Sequence, residues 1–319
     1  MAKSLSEYIE WLDNRPQLLW PKPPLPAPLE ATPYLKPLPE MRAVCWCIYG
    51  TLLNIQGGRL YHVHPQDVRM QIALQKTIDE FAMWHSMTRK PGQPWESMLP
   101  QYAAVVEELR MAATKRKGDA SEVDSSKVWF KIIDRLLRNE YPYDADLYGT
   151  PEELALKVAY FFHAMLQGVG MPPATITTLR RLNQAGLRQG LLDDAQPFTL
   201  KQLQYAIQKV DPSVSLGSLV SPDCVALSFQ FGMKKPSETL FAIAAAQYRR
   251  LGIDPQQVLY VSHRLADDLA VAKRHSFRTA LYAGDAGACQ VDAADLRDPA
   301  LKPDRLITDV TQIVEILGV

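Results

Sequence analysis

Four short segments hold the side chains of this 319-residue chain that could do chemistry. Cys47-Ile48-Tyr49-Gly50-Thr51-Leu52 groups a thiol, a phenol and a hydroxyl, and Leu191-Leu192-Asp193-Asp194 ends in two carboxylates. Phe231-Gly232-Met233-Lys234-Lys235-Pro236 carries two ammonium groups, and Val261-Ser262-His263-Arg264-Leu265-Ala266-Asp267-Asp268 adds an imidazole and two more carboxylates. A thiol with an imidazole as its base suits covalent attack on an activated carbon or acyl group. The thiol's pKa must then be lowered by a cation such as Lys235 or by a helix beginning at Thr51 or later. Cys47, His263 and Asp268 are equally a ligand set for zinc or another transition metal, whereas magnesium demands hard oxygen ligands. No local Cys-x-x-Cys or His-x-x-x-His spacing supports a metal.

Each segment follows an apolar run that reads as a strand. Residues 42–47 run into a Gly-Thr turn. After Pro172 strands at 187–192, 224–229, 258–262, 279–282 and 305–308 alternate with helices at 174–184, 201–210, 237–251 and 265–275 and a closing helix. That alternation implies a parallel sheet with crossover helices. Ligands of open α/β sheets bind at the carboxyl ends of the strands, so the four segments should line one pocket.

Between Pro65 and Gly168 the apolar spacing turns helical. Val68, Ile72, Leu74, Ile78, Phe81 and Met83 mark one helix, and Tyr102, Val105, Val106 and Leu109 a second. Trp129, Ile132, Ile133, Leu136 and Leu137 mark a third, and Leu154, Val158, Phe161, Phe162 and Met165 a fourth. Residues 57–171 are therefore read as an all-helical insertion into an α/β core of 42–56 and 172–319. Gly57 and Gly58 form the turn into the insertion. Trp84, Trp95 and Trp129 belong to its core, Lys115 to Asp124 to a charged surface loop, and His62 and His64 to the surface or hinge. Residues 1–41 hold nine of the 24 prolines and form an extended arm after a short helix at Ser4 to Asp13. It packs on its own domain through Trp11, Leu19, Trp20 and Tyr34, binds a partner, or reaches a second subunit to make a homo-oligomer.

Lysine plus arginine and aspartate plus glutamate number 35 each, so no global field favours nucleic acid or an anionic membrane as partner. No apolar run approaches the roughly 20 residues that span a bilayer, and MAKSLSEYIEWLD lacks the apolar stretch of a signal peptide, which predicts a cytoplasmic protein. Cys45, Cys47, Cys224 and Cys289 are expected to be reduced thiols.

The order of the four segments, with Arg278-Thr279-Ala280-Leu281 downstream, resembles the haloacid dehalogenase (HAD) superfamily over about residues 42–318. It is similar specifically to members with a helical cap inserted after the first strand. The resemblance implies a Rossmann-like parallel sheet flanked by helices, with a helical cap, and a pocket lined by Cys47, Tyr49, Thr51, Asp193, Asp194, Lys235, His263, Asp267 and Asp268. It also implies an aspartate nucleophile where this chain has Cys47. Two positions on, phosphatases of the family carry an aspartate and 2-haloacid dehalogenases the tyrosine seen as Tyr49. Asp193 stands where a serine or threonine is usual, and a carboxylate about 4 Å from a phosphate would repel it by up to about 4 kcal/mol at an effective dielectric near 20. Lys235 is kept, and with no phosphoryl group or aspartyl nucleophile present it is expected to pair with Asp193. Ser262 and His263 replace the Gly-Asp that helps hold magnesium, while Asp268 keeps the later acidic position. No cofactor is expected: magnesium binding should be lost, with zinc or another transition metal at Cys47, His263 and Asp268 as the alternative. Three readings follow: a catalytically degenerate scaffold that binds a small molecule or protein, a rebuilt metal site, and an active hydrolase with Cys47 as nucleophile.

Overall fold

The computed structural model describes residues 2–87, 91–112, 119–289, 291 and 294–319. Lys115 to Gly118 of the charged loop lie outside the described residues. Six strands form one sheet: β1 (Ala43–Trp46), β2 (Arg188–Asp193), β3 (Val225–Leu227), β4 (Val258–Ser262), β5 (Arg278–Tyr282) and β6 (Arg305–Ile307). Their order is β6-β5-β4-β1-β2-β3 and every pairing is parallel. The chain winds outward from the centre in both directions, so the order reverses between β1 and β4, and such a reversal opens a crevice at the carboxyl ends of the strands.

β1 is buried on both faces, which is why it reads as a continuous apolar run rather than an alternating one. Its side chains divide by parity. Val44 and Trp46 join the core beneath the helices Pro173–Gln184, Thr199–Val210 and Gln312–Leu317. Ala43, Cys45 and Cys47 face the other side, with the helix Glu238–Arg250 and the turn Ala270–Arg274. The 224–229 run is strand only over Val225–Leu227, because Ser228–Phe231 already coils into a helical turn.

Between β1 and β2 the helices Asp67–Glu80, Pro94–Ala112, Ser125–Leu137 and Pro151–Leu166 share a separate apolar cluster. The last is its centre. Thr150 and Glu153 form a capping box, Pro151 fits the first helical turn, and nearly every following side chain is buried. Val68 and Ile72, read as core from their spacing, are 58% and 49% exposed, because the first helix turns Met70, Ala73, Leu74, Thr77 and Ile78 inward. Trp129 is buried as expected, whereas Trp84 and Trp95 are half-buried. The two crossings between this layer and the sheet meet as a short antiparallel ribbon of Asn54–Ile55 with Val169–Gly170.

The N-terminal arm lies along its own chain. The helix Leu5–Asp13 buries Tyr8, Ile9 and Leu12, Trp20 packs edge-on to Phe161, and Tyr34 bridges to Leu306 at the sheet edge. Leu19, read as an anchor, is 84% exposed, and Tyr34 is half exposed. Among the described residues no helix is long and apolar enough to cross a membrane.

Candidate functional site

Cys47 follows β1 directly, and its backbone N–H still bonds to Val261 of β4. The chain then turns sharply: Leu52 and Leu53 N–H both return to the Ile48 carbonyl, with Gly50 at φ 77°. No helix begins at Thr51, and the first helical turn after it is the three-residue Gln56–Gly58. Asp193 ends β2 and His263 follows β4. Lys235 arrives on the Met233–Lys234 segment after β3, which pairs with Ala120–Ser121 and whose Lys235 N–H donates to Asp194 Oδ1 at 2.7 Å.

The centre of the site is the Asp193 carboxylate. Its Oδ2 accepts from the backbone N–H groups of Ile48 at 2.9 Å and Tyr49 at 2.8 Å. Its Oδ1 accepts from the Asp194 N–H at 2.8 Å and from Lys235 Nζ at 2.8 Å, and lies 3.2 Å from Cys47 Sγ. Two successive amides at a strand end plus an ammonium form an anion-binding concavity, and here a side chain of the same protein fills it. The Lys235–Asp193 pair expected from sequence is present, but the amide contacts were invisible there because sequence does not encode where N–H vectors point.

Lys235 Nζ also donates to Asp268 Oδ2 at 2.6 Å and lies 3.5 Å from Cys47 Sγ. Burial opposes its charge, yet the two carboxylates prevail and hold its pKa well above the usual range. Asp268 is fully buried and accepts from Ser262 Oγ at 2.5 Å and Tyr260 Oη at 3.1 Å. Burial would raise its pKa, but Lys235 and Arg264 outweigh that and lower it to about 2. Arg264 pairs with Asp194 at 3.0 Å and with Asp267. Burial nevertheless lifts Asp194 to about 6 against the pull of Lys235 and Arg264. Ser262 and Arg264 gave no signal as site residues beyond their place in the fourth segment, and Tyr260 none beyond its place in the strand at 258–262.

The thiol and imidazole are close but not engaged as nucleophile and base. Cys47 Sγ is 4.0 Å from His263 Nδ1, and burial, then the Asp193 charge, push the thiol's pKa well above its ordinary value. Burial also lowers His263 to about 4, against the opposite influence of Asp268. Thr51 Oγ1 lies 3.5 Å from His263 Nδ1. A Cβ at Gly50 would sit 2.6 Å from the His263 ring and one at Gly58 2.3 Å, so two glycines clasp the imidazole. Gly58, read only as a turn, is thus part of the site. Tyr49 Oη points away to Thr199 at 3.0 Å and Gln202 at 2.7 Å, which ties the loop after β1 to the helix Thr199–Val210.

The Cys47, His263 and Asp268 set considered for zinc is not arranged to hold it. Lys235 Nζ stands among these groups as a fixed positive charge, and among the described residues no three His, Cys, Asp or Glu side chains are placed to share an ion. The same ammonium, with a protonated thiol and an imidazole, does not suit magnesium. Of the other histidines, His64, read as surface or hinge, is buried, and His62 packs edge-on to the buried His163 with ring centroids 5.5 Å apart.

A HAD-hydrolase-like family model matches residues 232–313. No curated protein matches the sequence. Among solved structures, a 2-haloacid dehalogenase from Pseudomonas syringae pv. Tomato DC3000 is 17% identical, with 87% of this chain and 98% of that one covered and a TM-score of 0.52. CbbY from Rhodobacter sphaeroides, crystallised with phosphate, is 15% identical over 88% of this chain and 100% of that one, with a TM-score of 0.45. At 17% identity the likeness to the dehalogenase is one of fold. With its parallel six-stranded sheet and the family match over residues 232–313, the chain has a HAD-like fold.

Proposed function

We propose that this HAD-like protein is a catalytically degenerate binding scaffold whose anion site is closed by its own Asp193. The observation that carries the reading is the capture of that carboxylate by the Ile48 and Tyr49 amides and by Lys235. An incoming phosphate or carboxylate would have to displace a group held by four donors within 2.9 Å and would meet its charge. The neutral thiol supports the same reading, since a cysteine nucleophile must ionise. The helical segment 57–171 then serves as a cap over the strand ends. A cavity of about 190 Å³, lined by Gly57, Arg59, Tyr61, His263, Arg264 and Ala288, leaves room for a small ligand beside the closed site.

The test is turnover of p-nitrophenyl phosphate with magnesium and of 2-chloropropionate without it, in the wild type and in Lys235→Ala. The expected result is no turnover above buffer. Turnover that disappears in Lys235→Ala would overturn the proposal.

A further inference from the structure

The N-terminal arm touches both layers of the molecule and the ribbon that joins them. Its helix Leu5–Asp13 begins with a capping box of Ser4 and Glu7 and presents Tyr8, Ile9 and Leu12 to the interior. On the helical side, Tyr8 packs against Phe81 and Tyr148 with ring centroids 6.4 and 6.1 Å apart, and Arg15 pairs with Glu80. On the sheet side, Asp13 pairs with Lys209 of the helix Thr199–Val210 at 2.5 Å.

Past the helix the arm crosses the ribbon. A Cβ at Gly168 would lie 2.3 Å from the carbonyl carbon and oxygen of Lys22, and one at Gly170 would lie 2.9 Å from Pro23. The backbone of the arm is therefore seated on the returning crossing, where only glycine leaves it room. From Ala27 onward it is anchored again, now on the sheet layer alone. Ala286 N–H donates to the Ala27 carbonyl at 2.7 Å, Leu29 N–H to Ala283 at 3.0 Å, Tyr34 N–H to Leu306 at 2.8 Å and Leu38 N–H to Ile316 at 2.8 Å.

We infer that the arm is a strap that locks the helical layer against the sheet layer and fixes the opening of the crevice above Cys47 and His263. Besides the two crossings, the layers meet at the ribbon of Ala120–Ser121 with Met233–Lys234 and at the Ser228–Glu122 and Ser237–Asp119 hydrogen bonds, and layers joined at such local contacts move relative to each other by default. Here such motion would have to unseat three buried side chains, break the Asp13–Lys209 pair and slide Pro21 to Pro23 off the two glycines. The prolines suit this task, because fixed φ makes the crossing segment stiff. The inference takes residues 57–171 as a cap, as proposed above, and is independent of the closed anion site, whose test reads a different signal.

The experiment measures the distance distribution between spin labels on Val68→Cys, exposed on the helical layer, and Arg249→Cys, exposed on the sheet layer. The four native cysteines are buried, so the labels go to the introduced sites. Gly168→Ala lifts the arm without straining its own position, since Gly168 has no left-handed φ. A single narrow distribution in the parent should broaden or gain a second distance in Gly168→Ala and in the double variant Tyr8→Ala with Leu12→Ala. If the double variant does not fold, Gly168→Ala decides alone. A distribution as narrow in Gly168→Ala as in the parent overturns the strap.

Discussion

Replacing Asp193 by serine should convert a closed site into one that binds anions. The substitution deletes the acceptor of the Ile48, Tyr49 and Asp194 amides and one of the two carboxylates on Lys235. Removing one partner of a buried pair costs about 3–5 kcal/mol, and because Lys235 keeps Asp268 the lower end, about 3 kcal/mol, applies. At about 2–4 °C per kcal/mol that is a fall in Tm of roughly 6–12 °C. The vacated concavity keeps three amides and an ammonium, so inorganic phosphate should enter it, and at about 100 times its Kd it restores about 2.7 kcal/mol. The assay is thermal unfolding of parent and Asp193→Ser in phosphate and in chloride of matched ionic strength. Phosphate stabilises proteins generally by exclusion from their surfaces, so the quantity that matters is the response of the variant beyond that of the parent. A variant that melts with the parent, or one that is destabilised but gains no more from phosphate than the parent does, refutes the reasoning.

Acid should unfold the protein through His263 and Asp268. His263 falls from its usual 6.5 to about 4 on folding, so the unfolded chain binds the extra proton between those values and stability drops as pH falls from 6.5 to 4. The integrated effect is about 3 kcal/mol, and His263→Asn should flatten that part of a urea-melt pH series. Asp194, raised to about 6, acts with the opposite sign: its neutral form is favoured in the fold, so stability from this group declines as pH rises from about 4 to 6, and Asp194→Asn should steepen the acid loss. Asp268, lowered to about 2, adds stability that is lost only below its unfolded value of 3.8, worth about 2 kcal/mol by linkage. Gly58→Ala should cost about 2 kcal/mol or more in chemical denaturation, because its φ of 65° is left-handed and the new methyl would strike His263.

The sheet was legible because its strands are short apolar runs bounded by turn residues. β4 falls on residues 258–262 as read. The helices were legible as elements but not always in phase. Val68 and Ile72 fit the helical period, yet the buried face runs through Met70, Ala73 and Thr77, whose hydroxyl is satisfied by the Ala73 carbonyl at 2.7 Å. A polar residue that bonds its own helix looks like surface in a sequence. The convergence of Cys47, Asp193, Lys235, His263 and Asp268 followed from their strand-end positions. What they do to one another did not, since it depends on the Ile48 and Tyr49 N–H directions and on burial, which discharges the thiol and the imidazole. Where a helix was expected from Thr51 or later, the chain makes a turn closed by hydrogen bonds to Ile48, and the first helical turn is the short Gln56–Gly58.

The most direct test of the closed, non-ionised site is the rate at which iodoacetamide alkylates Cys47 in the native protein as a function of pH, followed by peptide mass spectrometry. Cys47 has no exposed surface and its thiol is held well above its ordinary pKa. The account predicts that Cys47 stays unmodified up to pH 9 and reacts only when denaturant opens the fold. Alkylation of native Cys47 that rises with a midpoint below pH 7 would reveal an accessible thiolate and contradict it.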